Sequence, residues 1–128
     1  MQPGSTKADL ESELRDQSVG TSGFFIYLDA GGEQTVVELT PTTRILILGV
    51  WLDLTTMTED GTVKAYYKID GANYKEFSST DVTAAGLDGI YLAINAGIAA
   101  DFKVTYTEGA DEGATRNIAY SVVYQELE

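Results

Sequence analysis

The chain has 128 residues, 44% of them hydrophobic, which is enough for one domain with a buried core and too little for two. It holds no cysteine and no histidine, so disulfides, sulfur-ligated metals, Ser-His and Cys-His nucleophiles and histidine general bases are all unavailable. With 20 acidic residues against 8 basic ones the formal charge is −12, which repels nucleic acid and favours solubility.

In chain order, residues 1–20 stand apart as a polar segment with Pro3 and Gly4. A short helix over 8–16 is the one element they suggest, with Leu10 and Leu14 four apart on one face. Two leucines cannot anchor a helix on a core, so the segment reads as an N-terminal arm, flexible or ordered by a partner. No basic start followed by an apolar run marks a secretory signal there, and no stretch approaches the ~20 apolar residues that cross a bilayer. The expectation is a cytoplasmically made protein without membrane insertion.

Residues 21–128 read as strands. Phe24-Phe25-Ile26-Tyr27-Leu28 is an unbroken apolar run closed by Ala30-Gly31-Gly32, and 34–39 forms a second strand ended by Thr40-Pro41. The stretch 44–54 is the most apolar; its lack of alternation implies burial on both faces and puts Trp51 in the core. A helix is the rival there, but β-branched residues and Gly49 favour a strand bent at the glycine. Two such apolar runs exceed what one small sandwich easily hides, so either both strands are central or one lies at an edge whose outer face a partner covers.

Asp60-Gly61 turns the chain into 62–69, where Val63, Ala65, Tyr67 and Ile69 alternate inward and Lys64, Tyr66 and Lys68 outward. Asp70-Gly71 turns it again into a short strand over 73–77, and 78–89 reads as a connection between sheets. Ile90, Leu92 and Ile94 form the next inward face, and Asn95-Ala96-Gly97 reads as a turn. Phe102, Val104 and Tyr106 then face inward, 108–113 is an acidic loop, and the last strand turns Ile118, Tyr120, Val122 and Tyr124 to one side. About eight strands at this spacing predict an all-β fold: a two-sheet antiparallel β-sandwich of jelly-roll type, preceded by the arm.

Paired carboxylates are the one catalytic resource left, yet most acids sit beside glycine in turns, where backbone geometry explains them. The reading is therefore a non-enzyme with no catalytic residue and no cofactor. Calcium gathered from separate loops is an alternative to solvated acidic turns, although no loop carries the alternating ligands of an EF-hand. Tyr66, Tyr74 and Tyr91 fall on or near polar faces, where they suit protein contact or a carbohydrate platform.

The hairpin Ala65-Tyr66-Tyr67-Lys68-Ile69-Asp70-Gly71-Ala72-Asn73-Tyr74, preceded by Gly49-Val50-Trp51-Leu52-Asp53-Leu54, resembles small β-sandwich virion proteins of tailed bacterial and archaeal viruses. That resemblance implies a capsid decoration or accessory structural protein, as in a bacteriophage, oligomeric and docked on a larger assembly such as a capsid. Its location would be the virion, made in the host cytoplasm. The alternative is an extracellular carbohydrate-binding jelly-roll module. Interface candidates are Leu10, Leu14, Phe24, Tyr66, Tyr74 and Tyr91.

Overall fold

A computed structural model describes residues 18–29, 31–83 and 88–127. Eight strands follow in order: β1 (Ser18–Tyr27), β2 (Gln34–Leu39), β3 (Ile45–Asp53), β4 (Gly61–Tyr67), β5 (Lys75–Val82), β6 (Gly89–Ile98), β7 (Phe102–Glu108) and β8 (Arg116–Glu126). They form two antiparallel sheets of four, the first in the order β1-β8-β3-β6 and the second in the order β2-β7-β4-β5. First pairs with last, second with seventh, third with sixth and fourth with fifth, as though one long antiparallel ribbon had been rolled on itself. This is the jelly roll, and it is the β-sandwich that the strand periodicity implies.

Only the β4–β5 connection stays within a sheet, and its turn chemistry is local. Asp70 Oδ1 accepts the backbone N–H groups of Ala72 at 2.9 Å and Asn73 at 2.8 Å, while Gly71 takes a φ of 80° that a side chain would resist. The other connections cross between layers, so each strand supplies alternate residues to one core. Tyr27, Ile47, Val50, Val63, Ala65, Phe102, Val104, Tyr106, Ile118 and Val122 are all fully buried there. Tyr27 and Tyr106 meet edge to face with ring centroids 5.4 Å apart.

Four expectations are corrected. The polar stretch 78–82 is the second half of β5 and not a connection; β5 is an edge strand exposed on both faces over most of its length, so it needs no apolar alternation. Asn95-Ala96-Gly97 does not turn the chain, because β6 runs on to Ile98. Asn95, at φ 50°, sits where β3 and β6 slip register between Ile47 and Gly49, so its left-handed backbone serves a bulge within the sheet. Ile69 lies beyond the end of β4 and is exposed, and Trp51 points outward with 53% of its surface accessible. The arm assigned to 1–20 overlaps β1, which opens at Ser18; residues 1–17, with the expected helix, Leu10 and Leu14, lie outside the described residues.

Candidate interaction face

The outer surface of the first sheet follows from its register. Three rows run across it from β1 through β8 and β3 to β6: Phe24, Ala119, Asp53 and Gly89; Ser22, Ser121, Trp51 and Tyr91; and Gly20, Val123, Gly49 and Ala93. Ile26 continues the β1 column opposite Asn117, with Leu28 just beyond the strand, and Leu46 lies opposite Gln125. Asp53 is the one charged residue among these positions in a chain with 20 acids and 8 bases. Phe24 is 79% exposed, and Ile26, Leu28, Trp51 and Tyr91 are also exposed. An apolar, nearly uncharged surface spread over four strands goes beyond scattered surface hydrophobes.

Trp51 and Tyr91 form its raised part, their rings 4.5 Å apart and tilted by 44°. Tyr91 can lie there because Gly49 has no side chain; a Cβ at that position would meet the ring at 2.2 Å. Beside the pair is a shallow cleft of about 310 Å³ lined by Trp51, Leu52, Asp53, Thr55, Asp88 and Gly89. Asp53 Oδ1 already accepts the Thr55 N–H at 2.9 Å and hydroxyl at 2.6 Å, which lowers its carboxyl below the ordinary range.

The second sheet presents the opposite chemistry. Glu38, Lys103, Lys64, Glu76 and Asp81 point outward from β2, β7, β4 and β5. Tyr66 donates its hydroxyl to Glu33, and Tyr74 donates to Glu38. Lys103 covers both rings, 5.1 Å from the centroid of Tyr66 and 4.5 Å from that of Tyr74, and Lys68 stands 4.9 Å from Tyr74. Partial burial and the Glu33 carboxylate push the Tyr66 hydroxyl up to about 12, and the same causes with Glu38 raise Tyr74. Lys64 and Glu76 pair at 3.1 Å. These tyrosines are held in place by their neighbours.

One end of the sandwich gathers acids. Carboxylate oxygens of Asp29, Glu108 and Asp111 lie within 4.8 Å of one another. A hydrogen bond between the two carboxyls raises Asp29 and lowers Asp111, and the Gly113 N–H donates to both. Next to them Glu112 is buried: its Oε1 accepts the N–H and hydroxyl of Thr58, each at 2.9 Å, and its Oε2 accepts the Glu59 N–H at 2.9 Å. Arg116 Nε stands 3.4 Å from Oε1, an ion pair whose geometry falls short of a hydrogen bond. The carboxylate thereby ties the β3–β4 loop to the β7–β8 loop.

Of the sequence-derived candidates, Phe24 and Tyr91 lie on the outer face of the first sheet, while Tyr66 and Tyr74 lie together on the second. Sequence reasoning missed Trp51, Ile26 and Leu28. The signal for the last two was present in the apolar run 24–28, whose alternate residues turn outward because successive side chains of a strand face opposite sides of the sheet.

No protein-family model and no curated protein sequence matches the chain. Among solved structures, it is similar to a pilus protein of Bacillus endospore appendages, disulfide-linked pili, at 12% identity and a TM-score of 0.55 over 88% of this chain and 90% of that one. It is also similar to PirA, at 16% identity and a TM-score of 0.52 over 82% and 93% of the two chains. A looser likeness, at 15% identity and a TM-score of 0.46, is to infectious bursal disease virus, over 85% of this chain and 32% of that one. At such identities the first two likenesses show a shared fold alone and leave function to the chain's own surface.

Proposed function

We propose that this protein is a structural subunit of a multi-copy assembly, one that self-associates and docks on a larger body such as a capsid, as a decoration or accessory protein, and that it catalyses no reaction. The observation that carries this reading is the nearly uncharged outer face of the first sheet, which exposes Phe24, Ile26, Trp51 and Tyr91 on an otherwise strongly acidic chain. The appendage pili are built from a similar fold, so a jelly roll of this size suits an extracellular filament as well as a virion. These 128 residues hold no cysteine, so subunits would be joined by packing and not by disulfides.

The second reading is a carbohydrate-binding module. It is favoured by one observation, the exposed Trp51–Tyr91 pair beside a cleft that contains Asp53 and Asp88. Negative-stain microscopy of concentrated protein, run beside a glycan array with and without calcium, separates the two. The assembly reading expects multi-copy particles and a blank array. A dispersed monomer that captures glycans, and loses them on Trp51→Ala, contradicts it.

A further inference from the structure

We infer that the outer face of the first sheet is covered by the same face of a second copy, in a two-fold pair whose axis runs along the strands between β8 and β3. This rests on the assembly reading and names the partner of its central surface.

Charge disfavours a head-to-tail stack of two copies. Stacking the first sheet of one copy on the second sheet of another would bury Lys64, Glu76, Glu38 and Lys103 against apolar side chains, at a cost of several kcal/mol per stranded charge. First sheet on first sheet buries almost no charge, because only Asp53 lies on the face, in an outer row. It also keeps two bodies of −12 joined through their least acidic surfaces. Four strands at about 4.8 Å spacing and about 30 Å of length give roughly 600 Å² per copy in plan, so about 1,200 Å² in the pair. That reaches the range of specific, stable interfaces.

Shape supports the two-fold. An axis along the strands places β1 over β6 of the second copy and β8 over β3, row upon row. In the central row Trp51 then faces Ser121 of the second copy, and Tyr91 faces Ser22. In the row above, Phe24 faces Gly89. In these two rows each large aromatic meets a small residue, and each contact occurs twice, as a self-complementary interface requires. Sheets stacked face to face cross at about −30°, so this matching is closest at the central row and loosens outward.

The test exchanges bulk across the axis. Trp51→Ser leaves a hole, and Ser121→Trp sets two tryptophans against each other; each weakens association at least about tenfold, the scale of a buried aromatic anchor. The double variant Trp51→Ser with Ser121→Trp restores the large-to-small match and recovers most of the loss, whereas Ser79→Trp on the outer face of the second sheet changes nothing. Sedimentation equilibrium reads the constants, and far-UV circular dichroism confirms that each variant is folded. If Ser121→Trp does not fold, Trp51→Ser carries the test alone. An oligomer indifferent to Trp51→Ser, or a Ser79→Trp that dissociates it, overturns the two-fold face while leaving the assembly reading standing. A monomer under every condition overturns both.

Discussion

Glu112 lies in a loop of Gly, Ala, Asp and Thr that looks from its composition like solvated turn, yet its carboxylate is among the most consequential groups in the fold. Burial alone would raise its proton affinity; the Thr58 and Glu59 N–H groups, the Thr58 hydroxyl and Arg116 outweigh burial and hold it below the ordinary 4.5. A carboxyl depressed on folding lends stability that is complete above the unfolded value and is lost as pH falls through the folded one. Glu112→Gln is therefore expected to cost about 2 kcal/mol near neutral pH, since it strands donors and Arg116, and to flatten the acid side of the stability curve below about pH 4.5. Urea titrations from pH 3 to 7 measure both. At Gly49 the effect is on the surface: Gly49→Ala displaces the Tyr91 ring, costs about 1 kcal/mol or less, and changes the fluorescence of Trp51. None of this was legible in the sequence, because Glu112 and Thr58 are 54 residues apart and Tyr91 reaches Gly49 only after strands pair.

At the scale of elements, legibility follows burial. Strands that supply the core alternate with period two, and β2, β4, β7 and β8 were found within a few residues of their ends. The stretch 44–54 was rightly a strand, but its unbroken apolar run concealed that Trp51 faces outward: an apolar outer face erases the alternation that a watery one would impose. The second half of β5 was lost for the opposite reason, since an edge strand with both faces in water leaves no apolar signature. The contrast sets an expectation. Val50→Ala, in a fully buried position of β3, should cost about 2 kcal/mol or more, whereas Ser79→Ala on β5 stays within about 0.5 kcal/mol. Urea midpoints at constant slope would confirm it; a β5 substitution as costly as the β3 one would show that the edge bears more of the stability than its exposure implies.

For the whole molecule, the decisive feature is how charge is partitioned between the two outer faces. The sequence shows the excess of acid but not its placement, because a face becomes visible only when strand order is known, and strand order was not fixed by periodicity. Once β1, β8, β3 and β6 lie side by side, one surface carries almost no charge and the other carries ion pairs and tethered tyrosines. Two acidic bodies joined through the uncharged surface still repel through the rest, and salt screens that repulsion: the Debye length falls from about 8 Å at 0.15 M to about 3 Å at 1 M. The most direct measurement is sedimentation equilibrium of the unaltered 13.8 kDa chain across a wide concentration range at both salt concentrations. A pair joined face to face gives an even-numbered oligomer that tightens as salt rises; a species that stays monomeric in both buffers at the highest concentration contradicts that pairing.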